Sequence, residues 1–520
     1  MLDTKVCPRP TGLLWQDNLE NLINEGRQMM VAVSATSAPS DELKWNTINW
    51  DHINKQVFKL QVRIAKAIRN RKFGLAKSLQ WILTHSFYAK LLAVKKVTTN
   101  NGAKTSGIDK IVWQYNTQKI SAVHQLKKRG YKALAVRRVY IPKKDGMQRP
   151  LGIPSMLDRA MQALYTLALE PIAETLADKH SYGFRPNRSC QDAIDQCFLS
   201  LRQKTSSTWV LEGDIKGCFD NISHDWLLNN VPLDKQILRQ WLKAGYLEKL
   251  EWFDSGSGTP QGGIISPMLA NMTLDGLEKE LSNNTILKDK VNLIRYADDF
   301  IITGASYELL KDKILPLVEV FLNNRGLQLS PTKTKITSIY DGFNFLGFNI
   351  RKFNHKLIIQ PSKDSVKLFL NKLRSTVKSY IASRADELVW NLNLKVKGWC
   401  NYYRHVCSKA TFSHIDYELH WMLWRWACRR YQNKCATWKA DKHFTRIDGR
   451  IRFSTVAEKH NKRIRLNLFL AAYMPIKRHV KIKSDATPYD PIYFSYLERR
   501  KLGINYRSIK NAGCNSLRKT

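Results

Sequence analysis

Asp298 and Asp299 stand side by side in an otherwise apolar stretch, Val291–Gly304 (VNLIRYADDFIITG). The pattern predicts a tight β-hairpin: one strand through Val291–Tyr296, a turn, and a return strand through Phe300–Thr303. Like charges about 4 Å apart repel by roughly 4 kcal/mol at an effective dielectric of about 20. A positive partner is therefore expected there, and hard oxygen ligands suit Mg²⁺. The plainer reading of this stretch alone is an acidic surface turn. A second stretch, Trp209–His224 (WVLEGDIKGCFDNISH), runs an apolar strand into Asp214. An aspartate at a strand's end can meet the hairpin's aspartates across a sheet. Three converging carboxylates could hold two Mg²⁺ ions, an arrangement that activates a hydroxyl nucleophile and stabilises a leaving pyrophosphate. Phe219, five residues further on, is either a core ring or a wall that would exclude a 2′-hydroxyl.

The elements around these residues follow from pattern. Val136–Pro154 (VRRVYIPKKDGMQRPLGIP) reads as two strands joined around Asp145-Gly146, with Lys143, Lys144 and Arg149 able to clamp a triphosphate. Ser155–Asp158 opens a long helix through about Leu176. Ser181–Arg188 (SYGFRPNR) is a loop whose Arg185 and Arg188 are open to two readings, template contact or an ordinary structured turn. Ser255–Gly263 (SGSGTPQGG) is glycine-rich and precedes a helix expected over 264–281; glycines let a backbone approach a ligand closely. Gly326–Ile336 places Lys333 just before a strand, Phe343–Ile350 reads as one short apolar strand, and Ser365–Ala385 as an amphipathic helix with a basic outer face.

The chain carries 84 Lys and Arg against 44 Asp and Glu, a net charge of +40. Such an excess repels itself in a compact chain, so a polyanion is the expected partner, bound with strong salt dependence. Lys395–Thr520 alone holds 28 basic and 8 acidic residues, a net of +20. Within it Lys397, Trp399, Tyr402, Tyr403 and Arg404 mix rings with charge, as surfaces for structured RNA do, although some of the rings must be core. No apolar run approaches about 18 residues and no secretory leader is seen, so a cytoplasmic protein without membrane contact is expected. Nine cysteines form no Cys-x-x-Cys pair and read as buried free thiols.

Taken together, RRVYIPKKDGMQRPLGIPS, SYGFRPNRS, GDIKGCFDNISH, GTPQGG, RYADDF, LSPTKTKI, FNFLGF and KGWCNYYRH resemble, over roughly residues 45–500, the group II intron-encoded reverse transcriptase–maturases. The resemblance implies an α+β right-hand polymerase (fingers, α/β palm, helical thumb) followed by an α-helical maturase (X) domain. Its divisions would be a lead-in at 1–44, a helical extension of the fingers at 45–135, fingers and palm at 136–362, a thumb helix at 363–385, the RNA-binding maturase domain at 386–485 and a basic tail at 486–520. Carried over, Asp214 and Asp298 are the principal ligands of two Mg²⁺ ions, with Asp299 and the Ile215 carbonyl assisting. Lys143 and Arg149 would meet the triphosphate of a dNTP, Phe219 the sugar, Gln261 the nucleotide pocket and Lys333 the pyrophosphate. Partners would be the group II intron RNA, target DNA and a primer–template duplex, in a bacterial, nucleoid-associated ribonucleoprotein. Many relatives end in an HNH endonuclease; here Cys514 stands alone in the tail, so target cutting by this polypeptide is not expected. Two alternatives fit less of the pattern: a splicing cofactor with little polymerase activity, and a reverse transcriptase recruited to another cellular role.

Overall fold

A computed structural model describes residues 45–502 apart from 143–145, 147, 250, 460 and 461. The expected lead-in, the last part of the expected tail, and Lys143 lie outside the described residues. Three helices, Trp50–Arg69, Phe73–His85 and Phe87–Thr99, open the fingers. The Asn49 side chain caps the first by accepting the His52 N–H at 3.0 Å. Its stripe of Ile53, Val57, Ile64 and Ile68 is buried, as helical spacing requires. The three helices pack on Met156–Leu176, whose own N-terminus is capped by Ser155. Buried Asp158 in that first turn accepts from the Tyr131 hydroxyl at 2.6 Å and the Leu134 N–H at 3.3 Å, which fixes the approach to the first strand.

The strands β1 (Val136–Pro142) and β2 (Gln148–Ile153) form the expected basic hairpin, and β3 (Trp209–Gly213) follows. β4 (Tyr246–Glu248) and β5 (Glu251–Phe253) extend the hairpin's sheet in the order β2-β1-β4-β5. β6 (Asn292–Tyr296), β7 (Asp299–Gly304) and β8 (Lys335–Ser338) join β3 in an antiparallel palm sheet, order β6-β7-β3-β8. Side chains alternate across a strand, and here each face meets a different core. Leu211, Leu293, Phe300 and Ile302 pack with the fingers helices, whereas Val210, Ile294 and Ile301 pack towards the thumb. The palm sheet is therefore clamped from both sides, which holds its loop ends still.

Four expectations change in the folded chain. The helix expected over 264–281 is two helices, Ser266–Leu274 and Leu277–Asn284, broken at Asp275-Gly276 where Gly276 has φ +98°. Phe343–Ile350 is two strands, β9 (Phe343–Phe345) and β10 (Phe348–Phe353), because Leu346 and Gly347 both take positive φ and turn the chain; β11 (Lys356–Pro361) completes that sheet. The thumb helix, Lys363–Ser379, stops short of Ala385. Helices Ala385–Tyr403, Lys409–Arg430 and Ala436–His443 make up the maturase segment, and a three-stranded antiparallel sheet is added to them: β12 (Phe444–Ile447), β13 (Arg450–Lys459) and β14 (Lys462–Asn467).

Beyond that sheet the chain returns to the palm. Asp192, fully buried, accepts from His479 Nε2 at 2.9 Å, the Ile482 N–H at 2.7 Å and Arg500 Nη2 at 2.6 Å. Burial alone would push its carboxyl up; the His479 hydrogen bond, Arg500 and the Ile482 N–H outweigh that and hold it at about 2. The Phe494 ring lies 5.6 Å from that of Phe58. Thus 486–502, expected as tail, docks on the fingers. Among the described residues Cys190, Cys197, Cys218 and Cys400 are buried free thiols, and no helix is long and apolar enough to cross a membrane.

Candidate active site

Antiparallel pairing of Gly213 with Phe300 carries Asp214, at the end of β3, alongside Asp299 at the start of β7. Asp298 sits in the tight turn between Tyr296 and Asp299, next to Ala297 at φ +59°. Gly213 is required by close approach, since a Cβ there would stand 2.2 Å from the Phe300 ring. Although Asp299 reaches solvent, its carboxyl is crowded. Burial first, then Asp298 and Asp214, push it up to about 6, with Lys333 pulling the other way. Lys333 Nζ lies 3.3 Å from Asp214 Oδ2. A short pairing sets this up: the Asp214 carbonyl accepts the Ser330 N–H at 2.8 Å and the Gln328 carbonyl accepts the Lys216 N–H at 2.9 Å. That ladder uses the neighbours of Ile215 and leaves the Ile215 carbonyl out of it.

Among the described residues no three His, Cys, Asp or Glu side chains form a cage that would hold a metal unaided. Mg²⁺ is characteristically held by one or two carboxylates with waters and substrate phosphates completing six oxygens, not by all-protein cages. Burial, followed by repulsion from Asp298 and Asp214, raises the Asp299 carboxyl, and a bound cation would oppose both. The oxygen-only donor set and the crowding of Asp214, Asp298 and Asp299 fit that ion.

Phe219 rides on the short helix Cys218–Asn221, and its carbonyl accepts the Thr259 N–H at 2.7 Å. The Gln261 carbonyl accepts the Gly152 N–H at 2.7 Å, so the GTPQGG loop bridges the fingers hairpin to the palm. Gly258, at φ +81°, would place a Cβ 2.5 Å from the Asp220 carbonyl, so this seam admits no side chain there. Arg149 is exposed on β2.

The SYGFRPNR loop supports the acidic hairpin from beneath. The Tyr182 N–H donates to the Arg295 carbonyl at 2.9 Å, and the Arg295 N–H to the His180 carbonyl at 3.0 Å. Asn271 Nδ2 donates to the Gly183 carbonyl at 2.8 Å. Arg185 is not a template contact. It is buried, pairs Glu174 through Nε at 2.8 Å and Nη2 at 2.9 Å, and spends Nη1 on the Asp178 and Ser181 carbonyls. Arg188 is corrected likewise: its guanidinium donates to the carbonyls of Lys179 at 2.8 Å and Ser484 at 2.7 Å, and burial with the nearby Arg185 brings its pKa down to about 10. A Cβ on Gly183 would fall 2.3 Å from the Ala297 nitrogen. Gly183→Ala is therefore expected to displace the turn and cut primer extension by about tenfold or more, with nucleic-acid affinity little changed in a filter-binding titration.

The aromatic motif after the thumb also faces inward. Trp399 stacks on Phe369 (4.9 Å, 10°), and Tyr402 Oη donates to the Leu346 carbonyl at 3.0 Å and lies 2.8 Å from Cys190 Sγ. Tyr403 Oη donates to the Gly347 carbonyl at 3.2 Å. Arg404 reaches Asn401 Oδ1 at 3.3 Å, and its carbonyl accepts the Lys477 N–H. Trp399 thus fastens the first maturase helix to the thumb, and Tyr402 and Tyr403 fasten it to the turn between β9 and β10; Lys397 alone of the five is exposed.

A palm sheet bearing paired acidic loops, with a basic β-hairpin on one side and a helical thumb on the other, defines a right-hand polymerase. Residues 45–126 match the N-terminal domain of reverse transcriptase, 141–350 match reverse transcriptase (RNA-dependent DNA polymerase), and 366–444 match the group II intron maturase-specific domain. Group II intron-encoded protein LtrA of Lactococcus lactis subsp. cremoris is 30% identical over 423 residues, covering 63% of this chain and 70% of LtrA. Protein YkfC of Escherichia coli K12 is 30% identical over 347 residues, 58% of this chain and 88% of YkfC. An uncharacterized 91 kDa protein in a cob intron of Schizosaccharomyces pombe is 30% identical over 412 residues, 63% of this chain and 51% of that one. The chain belongs to the group II intron-encoded reverse transcriptase–maturase family.

Proposed function

We propose that this reverse transcriptase–maturase binds its own group II intron RNA, assists its splicing, and copies it into cDNA from dNTPs on a primer–template duplex at a DNA target. The observation that carries the polymerase reading is the pairing of β3 with β7, which sets Asp214 beside Asp299 and the Asp298 turn. Asp214 and Asp298, with Asp299 and the Ile215 carbonyl assisting, would hold Mg²⁺; when bound, the ion supplies a Lewis acid for the 3′-hydroxyl and the leaving pyrophosphate. Arg149, with Lys143, would orient the triphosphate. Lys333, held against Asp214, would neutralise charge as pyrophosphate departs. Gln261 would line the pocket on the seam between fingers and palm. A protein that works on intron RNA and target DNA would sit with the nucleoid in the cytoplasm.

The test is extension of a DNA primer on an RNA template by the purified chain. Products are expected with Mg²⁺ and none after chelation; a wild-type protein that binds RNA yet never extends a primer would refute the polymerase reading. Phe219 carries a separate prediction. If its ring walls the sugar, Phe219→Ala should raise incorporation of a ribonucleotide relative to its deoxy counterpart by about tenfold or more, measured as the ratio of single-nucleotide kcat/KM values.

A further inference from the structure

The sheet β12–β14 lies mostly past the matched maturase segment, and the proposed polymerase cleft does not use it. Between it and helix Lys409–Arg430 is a cavity of about 290 Å³, the small end of the range for ligand sites. Its rim is built from rings and guanidinium groups. Tyr417 and Trp421, one helical turn apart, are 61% and 43% exposed, with centroids 6.3 Å apart. His420 fills the angle between Trp421 and Phe444 through ring contacts, and burial lowers its pKa, which keeps the imidazole neutral. On the opposite wall Arg452 lies 4.6 Å from the Tyr473 ring and is paired with Asp448 at 2.9 Å. Arg450, exposed and two residues away on the same strand face, has no acidic partner within ion-pair distance among the described residues. Asp416 faces the cavity too, but both its oxygens accept backbone N–H groups, from Ala471 at 2.7 Å and Ala472 at 2.8 Å.

Large exposed rings beside a guanidinium that lies 5.4 Å from the Tyr473 ring and has no ion-pair partner among the described residues, in a quarter of the chain with net charge +20, suit one kind of occupant. RNA presents unstacked bases from loops and bulges, which proteins take up on aromatic faces while a cation meets the phosphate. We propose that this cavity holds a single unpaired nucleotide of bound RNA, its base against Trp421 and Tyr417 and its phosphate on Arg450. The neutral His420 imidazole offers a donor and an acceptor to the base edge. The proposal rests on the RNA-binding reading above and gives it a place on the chain.

The probe is a single-stranded RNA 12-mer carrying 5-iodouridine, irradiated with the full-length protein and followed by mapping of the attached peptide. Attachment within 409–430 is expected. Arg450→Glu keeps both photoreactive rings, so a drop of about tenfold in yield at that peptide reports lost binding. Extension on poly(rA)·oligo(dT) by the same variant should stay within about twofold, because Arg450 belongs to a sheet that shares no strand with the palm sheet. Thermal midpoints of Arg450→Glu and the wild type should coincide; should Arg450→Glu unfold, the charge-neutral Arg450→Gln gives the same comparison. Attachment elsewhere on the chain but none within 409–430, or an unchanged yield in the variant, overturns the pocket while leaving RNA binding intact. No attachment anywhere overturns both.

Discussion

Asp214→Asn and Asp298→Asn are each expected to lower primer extension by about 10³-fold, roughly 4 kcal/mol of lost transition-state stabilisation, without lowering thermal stability. The two halves of this expectation have one cause. Each carboxylate contributes negative charge where charge is already crowded, as the rise of the Asp299 carboxyl to about 6 records. Replacing one with a neutral amide of the same shape removes a repulsion from the folded state, so the midpoint of unfolding should hold or rise. The same replacement removes a ligand of the cation that the reaction needs, so turnover collapses. Asp299→Asn should cost less than either, because Asp299 takes the assisting place in the metal set, and burial with two neighbouring carboxylates already works against its charged form. Steady-state extension paired with thermal unfolding separates this from a simple folding defect, in which both quantities would fall together. A Asp298→Asn protein with wild-type turnover would remove Asp298 from the metal site.

Much of this geometry was legible in the residues, and the losses have physical reasons. The hairpin and the strand before Asp214 follow from local pattern, because strands buried on both faces read as short continuous apolar runs bounded by turn residues. That β3 sits between β7 and β8 does not follow from it, since such a pairing depends on contacts far apart in sequence. Arg185 and the KGWCNYYRH rings stay open to two readings in the sequence because seams between domains and surfaces for RNA draw on the same residue types. Only the partners distinguish them: Glu174 for Arg185, and the Leu346 and Gly347 carbonyls for Tyr402 and Tyr403. The split of the helix at Gly276 serves Asp275, whose use is visible only once Arg295 is in place. One miss had a readable signal. Asp448-Gly449, both at positive φ, lies between runs in which Ile447, Ile451 and Phe453 alternate with basic residues, which is a hairpin pattern inside a segment expected to be helical.

The second large effect lies beneath the acidic turn, at Arg295. This guanidinium has no exposed surface; it pairs with the Asp275 carboxylate, donates to Asn271 Oδ1 at 3.2 Å, and reaches the Ala297 carbonyl at 3.4 Å. Arg295→Met should cost about 3–5 kcal/mol, because it strands a buried carboxylate without its partner. Burial already pushes the Asp275 carboxyl up to about 6 with Arg295 opposing, and without Arg295 it rises further. A carboxyl whose folded pKa lies above its unfolded value favours the protonated folded state. Stability is therefore lost as pH climbs from the unfolded pKa through the folded one. The deficit of Arg295→Met relative to wild type should accordingly be smaller at pH 5 than at pH 8 in urea titrations. Adding Asp275→Leu removes the stranded charge, so Arg295→Met/Asp275→Leu should regain much of the stability at pH 8. Activity should stay low in the double variant, since the Ala297 carbonyl still lacks the donor that holds the turn carrying Asp298. Recovery of both stability and turnover would mean that Arg295 serves the fold alone.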